Sequence, residues 1–229
     1  MKPYYSHNGI TIYHADCREV LPNLPDQSID LVLTDPPYGV GFDYGTGYKD
    51  SPRGYIDFLW PIIEVCEQKV KEGGYIAVYQ AAKYARLWHQ WFPREWRLFA
   101  LPKLFDQIRH TDIQWCTDYV LFWMVGQGKK KRLRESGIAR DFFVSEQVLL
   151  RRDPLLSGHP CPRPIDQVIY LIESLSPTKS TILDPFLGSG TTVVAAKILG
   201  RKAIGIEIEE RYCEIAAKRL QQEVLLQEA

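Results

Sequence analysis

Short apolar runs rich in β-branched and aromatic residues alternate along this chain with longer stretches of helical periodicity. That alternation predicts a sheet whose strands are joined by helices. Strands are expected at Ile10–His14, Ile29–Thr34, Tyr75–Gln80, Tyr119–Val125, Thr181–Asp184 and Ala203–Ile206, and Trp96–Leu101 carries a fainter version of the pattern. Between them, Tyr55–Lys71 places Ile56, Leu59, Ile63 and Val70 at helical spacing, with Gly73-Gly74 as the expected stop. Pro164 suits a first helical position, and Ile165, Val168, Ile169, Ile172 and Leu175 form an apolar stripe behind it. Thr191–Leu199 follows a glycine turn and ends at Gly200, and Glu209–Gln222 is amphipathic. Gly39–Pro52 and Gln127–Ser157 lack either period and read as surface loops, of a length that often carries function.

A chain of 229 residues is long enough for a single α/β domain spanning 1–229 with a modest insertion. Basic and acidic residues balance at 28 each, which argues against a general polyanion coat. The balance is uneven along the chain, however. Arg94–Arg163 holds 13 Lys/Arg against eight Asp/Glu, so a local phosphate-contacting face fits the middle of the sequence. Cys17, Cys66, Cys116, Cys161 and Cys213 show no zinc or redox spacing, and an odd number of scattered thiols suits a reducing compartment. Residues 1–10 contain no signal-peptide run and no stretch reaches transmembrane length, so a cytoplasmic protein without a membrane partner is expected.

The most informative run is Asp30 to Gly39. An apolar strand ends there on Asp35-Pro36-Pro37-Tyr38. Pro36 and Pro37 remove two backbone donors and leave their carbonyls as acceptors. With the Asp35 carboxylate and the flat face of Tyr38, this set suits an aromatic amine. One amino hydrogen goes to Asp35 and the other to the Pro36 carbonyl. The nitrogen then becomes more tetrahedral, and its lone pair is freed from the ring.

A second run, Ile182 to Thr192, is a strand, a glycine turn and a helix start. Gly188 and Gly190 admit close approach to the backbone, and the helix start offers unpaired N–H groups to a carboxylate. Val193 stands where a dinucleotide fingerprint needs its third glycine, which disfavours a nicotinamide cofactor. Gly205-Ile206-Glu207 then sets an acid at the end of the next strand, suited to ribose hydroxyls.

Asp35-Pro36-Pro37-Tyr38 resembles the catalytic motif of amino-group DNA methyltransferases, and Asp184-Pro185-Phe186-Leu187-Gly188-Ser189-Gly190-Thr191-Thr192 resembles the cofactor motif of the same family. The two motifs lie about 150 residues apart, with the catalytic one first, an order similar to the permuted "beta" class. The resemblance implies a Rossmann-like S-adenosylmethionine-dependent methyltransferase fold: α/β, with a mixed, mostly parallel sheet and helices on both faces. It implies S-adenosyl-L-methionine as cofactor, no metal, double-stranded DNA as substrate, and a target base flipped out and stacked on an aromatic. A homodimer is compatible with the class.

Further positions follow from the same resemblance. Asp35, Pro36, Pro37 and Tyr38 become the catalytic set. His159-Pro160-Cys161-Pro162-Arg163-Pro164 is similar to the family's His-Pro-x-x-Lys-Pro segment, with Arg163 in the lysine place, and implies contacts of His159 and Arg163 with the methionine part of the cofactor. Asp16 and Cys17 close the first strand in a segment whose Asp contacts the cofactor adenine in relatives. The implied cofactor set is completed by Asp35, Asp184, Phe186, Gly188, Ser189, Gly190, Thr191 and Glu207. Residues 127–157 stand where the family carries its target-recognition region, here as a short insertion, and Arg132, Arg134, Arg140, Arg151 and Arg152 suit base edges or phosphates. An aspartate at position 35 points to adenine N6, whereas serine is commoner there in cytosine-N4 enzymes. Cytosine N4, RNA methylation and an inactive nucleic-acid-binding subunit stay as alternatives. Cys161 follows a proline, as the nucleophile of cytosine carbon-5 enzymes does, but its surroundings are those of the His-Pro segment.

Overall fold

The computed structural model describes residues 2–38, 54–92, 95–103, 117–127, 139–145 and 163–222. Among them, one sheet is built from β1 (Tyr5–His7), β2 (Ile10–His14), β3 (Ile29–Thr34), β4 (Val70–Gln80), β5 (Arg97–Pro102), β6 (Thr117–Met124), β7 (Thr181–Asp184) and β8 (Lys202–Glu207). The helices are α1 (Cys17–Val20), α2 (Tyr55–Lys69), α3 (Trp88–Trp91), α4 (Ile165–Leu175), α5 (Thr191–Ile198) and α6 (Glu210–Gln221). The spatial order is β1-β2-β8-β7-β3-β4-β6-β5. From β2 through β4 neighbouring strands run parallel, whereas β1 and β6 are antiparallel to their neighbours. This is the expected mixed, mostly parallel sheet.

Both faces are covered, so the central strands are apolar on both sides. Leu31 and Leu33 of β3 join a core with Val168 and Leu171 of α4, Val193 and Ala196 of α5, and Ala216 of α6. Val32 faces the other way, into a core with Leu59 and Ile63 of α2 and Trp88 of α3. The chain passes from β3 to β4 on one side and from β7 to β8 on the other. Strands β7 and β3 therefore flank the switch point, where loops leaving the carboxyl ends diverge and open a crevice.

Three local features depart from the sequence reading. Helix α2 ends at Lys69, before the Gly73-Gly74 stop, because Val70 already pairs with Ile29 of β3. The two glycines lie inside β4 at a register shift, where a Cβ on Gly74 would stand 2.8 Å from the Asp30 carbonyl. A hairpin precedes the first expected strand: Asn8 and Gly9 take φ of 48° and 80° and join β1 to β2 in a two-residue turn. Of the insertion 127–157, Gln127 and residues 139–145 are described, and the latter run beside the edge strand. Ala100 donates to the Asp141 carbonyl at 2.9 Å and Ser145 to that of Pro102 at 2.9 Å. Tyr170 of α4 pins this segment by stacking on Phe143 at 4.7 Å and by donating to the Arg140 carbonyl at 2.7 Å. Gly39–Pro52 lies outside the described residues. No described helix is long and apolar enough to cross a membrane.

Candidate active site

Asp35 and Asp184 follow from adjacent parallel strands, and a direct bond joins their neighbourhoods. The Thr34 hydroxyl donates to Asp184 Oδ1 at 2.9 Å. The other oxygen of Asp184 accepts from Thr192 Oγ1 at 2.6 Å, and Oδ1 also takes the Phe186 N–H at 3.1 Å. Asp184 is thus turned inward and ties the end of β3 to the glycine turn and the first turn of α5. Burial pushes its carboxyl up to about 7, even though these three donors favour the charged form. Burial likewise raises Glu207, against the pull of its backbone donors. Both groups bind protons more readily folded than unfolded, so stability falls as pH climbs from about 4 through about 7. The protein is expected to melt lower at pH 8 than at pH 5. Asp184→Asn should flatten that difference in a pH series of thermal melts.

The glycine turn is held from two sides. Gly188 N–H donates to Glu207 Oε2 at 2.7 Å, and Glu209 N–H to Oε1 at 2.9 Å. Each carboxylate oxygen has two acceptor sites, so one on each is left by these two bonds, as many as a pair of vicinal hydroxyls needs. From α6, Arg219 Nη1 donates to the Ser189 carbonyl at 2.6 Å and to Thr191 Oγ1 at 3.3 Å. Phe186 is half-buried, with its ring 6.0 Å from that of Phe58. Beside β8, Ala15 N–H donates to the Glu207 carbonyl at 3.0 Å, which brings Asp16 and Cys17 to the same crevice. Asp16 caps α1 through the Arg18 N–H at 2.9 Å and pairs with the Arg18 guanidinium, whose hydrogen bonds pull its carboxyl below the usual range. Burial pushes the Cys17 thiol up to about 12, so that side chain stays neutral.

At the Asp-Pro-Pro-Tyr corner the Asp35 carboxylate meets Arg163. Nε donates to Oδ2 at 2.6 Å and Nη2 to Oδ1 at 3.1 Å. The Tyr38 hydroxyl donates to Oδ1 of Asp35 and accepts from Arg163 Nη2 at 2.5 Å. Burial pushes this hydroxyl above its usual range, with Arg163 opposing and Asp35 adding to the shift, so it stays protonated. Arg163 Cζ stands 5.9 Å from the Tyr38 ring centroid and 4.9 Å from that of Tyr79. Pro36 is buried and Pro37 half-buried behind the acid.

The structure therefore brings Asp35 to Tyr38, Arg163, Asp184 to Thr191, Glu207, Asp16 and Cys17 to one edge of the sheet. His159 lies outside the described residues, as does Cys161. Arg163, which the sequence reading set against the cofactor, donates four of its five N–H groups to Asp35, Tyr38 and Asp118. Sequence reasoning missed Asp118, Lys103 and Arg219. Each acts on a partner 15 or more residues away, and no local spacing marks such a pairing.

A doubly wound sheet with an Asp-Pro-Pro-Tyr corner and a glycine turn on its switch-point loops has the architecture in which α/β folds place their ligand crevice. A family model for DNA methylases matches residues 29–218, and the chain belongs to that family. Among curated relatives, the type II methyltransferase M.ScaI of Streptomyces caespitosus is 26% identical over 97% of this chain and 84% of its own length. M.BamHI of Bacillus amyloliquefaciens is 25% identical over 96% of the chain, which spans only 59% of that relative. Among solved structures, PvuII DNA methyltransferase (cytosine-N4-specific) superposes with a TM-score of 0.76 at 19% identity, covering 98% of this chain and 90% of that one. The M1.HpyAVI–SAM complex superposes with a TM-score of 0.70 at 22% identity, covering 92% and 99%. The fold is thus the Rossmann-like methyltransferase fold.

Proposed function

We propose that the protein methylates an exocyclic amino group in DNA, adenine N6, with S-adenosylmethionine as donor. One observation carries this reading: the Thr34–Asp184 bond, which sets the acid corner and the glycine turn side by side at the switch point. Glu207 is placed to hold the ribose hydroxyls, and the backbone at Gly188 and Gly190 admits the cofactor closely. Bound there, S-adenosylmethionine supplies an electrophilic methyl group on a sulfonium. The chain's own residues do the rest by positioning and local electrostatics. Asp35 and the Pro36 carbonyl accept the two amino hydrogens, the Tyr38 ring lies against the flipped base, and the proton leaves afterwards to Asp35 or water.

Residues 127–157 supply the contacts to DNA, with 139–145 anchored on β5 and α4 as their base. Adenine is favoured over cytosine by the acid at position 35. The test is to incubate the protein with DNA and cofactor, digest the product and identify the modified nucleoside. N6-methyladenine is expected, and N4-methylcytosine alone overturns the choice of base.

A further inference from the structure

Asp118 is the second residue of β6, opposite Leu101 of β5, on the same face as the acid corner. Its Oδ1 accepts from Arg163 Nη1 at 2.8 Å, its Oδ2 forms an ion pair with Lys103 Nζ at 2.9 Å, and its side chain is 13% exposed. The Arg163 side chain is 13% exposed too, and its other two nitrogens hold Asp35 and Tyr38. Lys103, Asp118, Arg163 and Asp35 form a row of alternating charge that ends on the catalytic carboxylate.

The acceptor sites of Asp35 can be counted. Oδ1 takes Arg163 Nη2 and the Tyr38 hydroxyl, which fills it. Among the described residues Oδ2 takes only Arg163 Nε, which leaves one site. A carboxylate alone rotates over a broad range, so its oxygens have no fixed assignment without such a grip. The grip in turn needs the guanidinium to be held from behind, and Asp118 does that through Nη1. A lysine at position 163 has no fork and cannot bond both oxygens of Asp35 in one plane while reaching Asp118.

We propose that Asp118 is a positioning residue for methyl transfer: acting through Arg163, it fixes the Asp35 carboxylate so that one acceptor site on Oδ2 is presented to the base amino group. This rests on the methyltransferase reading above. It assigns Arg163 to the acid rather than to the methionine carboxylate, and the two roles separate in kinetics.

The test is a double-mutant cycle with Asp118→Asn and Arg163→Lys. Single-turnover methyl transfer is measured at saturating cofactor and DNA, and cofactor affinity by calorimetry. Each single variant should transfer about 10- to 100-fold more slowly, as a misplaced catalytic group does. Cofactor Kd should stay within about threefold. Asp118→Asn added to Arg163→Lys should slow transfer by less than about threefold more, because the intermediary is already lost. Additive losses overturn the proposal. So does an Arg163→Lys protein with unchanged single-turnover rate and a cofactor Kd raised tenfold or more, which would place Arg163 on the cofactor. If Asp118→Asn does not fold, the rate and Kd of Arg163→Lys alone decide. Absence of DNA methylation by the wild type overturns both this proposal and the function beneath it. An active wild type with additive variants overturns the positioning role alone.

Discussion

Asp35→Ala is expected to lower methyl transfer to DNA by at least about 10³-fold at saturating cofactor, since removing even one preorganised hydrogen-bonding group from a reacting centre costs about 10²–10³. The loss should fall on the chemical step. In the proposed reaction Asp35 supplies the acceptor for the amino group, and it also anchors the Tyr38 hydroxyl through Oδ1. Removing it loosens both the grip on the amine and the ring on which the base stacks. The side proposed for the cofactor is held by other bonds: Glu207 with Gly188, Arg219 with Ser189, and Asp184 with Thr192. Cofactor Kd, read by calorimetry, should therefore change by only a few fold. Arg163 keeps Asp118 as its partner in this variant, so its charge is not left bare and the fold should persist. Turnover at the wild-type rate would move the base-binding acid elsewhere.

The second large effect is expected at Gly190, and it should appear as lost stability. The residue takes a φ of +86°, and a Cβ there would stand 2.6 Å from Ala216 Cβ and 3.0 Å from its Cα. A left-handed alanine costs about 1–3 kcal/mol, and overpacking a tight contact costs about as much again. Helix α6 is poorly placed to retreat, because Arg219 on it is bonded to the carbonyl of Ser189, next to the glycine. For Gly190→Ala a loss of about 3 kcal/mol is expected, a fall in melting temperature of about 6–12 °C for a chain of this size. Ala216→Gly in the same chain removes the closer clash and should recover part of the fall, leaving the backbone strain. Cofactor affinity should drop in the single variant, since the turn that admits the ligand is the one displaced. Thermal melts of the three proteins decide the matter, and an unchanged melting temperature for Gly190→Ala contradicts the packing at the turn.

The parts of this site that were legible in the sequence are those that chemistry requires in consecutive residues. An acid followed by two prolines and a tyrosine must be contiguous, because one turn has to aim all four. A glycine turn opening a helix is local for the same reason. What stayed hidden depends on the third dimension. Asp118 meets Arg163, and Lys103 meets Asp118, because the end of β5 and the start of β6 lie beside the start of α4, and Arg219 reaches the glycine turn because α6 packs on α5. Asp184 read as a cofactor contact, yet its carboxylate bonds Thr34, Thr192 and the Phe186 N–H within the protein. Only the neighbouring strand supplies Thr34.

Fold-level reading met the same boundary. The alternation of strand and helix patterns points to an α/β sheet, and helices on both of its faces follow from the family resemblance. Helix α2 ends before the glycine stop that its pattern predicts because Val70 answers to its partner Ile29, whose pull on the backbone outweighs the glycines three residues on. Asn8-Gly9, by contrast, is a local hairpin signal, faint in the sequence because the strands it joins are only three and five residues long.

A structure with S-adenosylmethionine bound tests most directly whether the two loops make one site. The expected result puts the ribose on Glu207 and the sulfonium methyl within about 6 Å of Asp35 Oδ2. That separation leaves an amino nitrogen about 3 Å from the carboxylate and about 3–3.5 Å from the methyl carbon. A cofactor seated elsewhere, or a methyl group directed away from Asp35, contradicts the assignment.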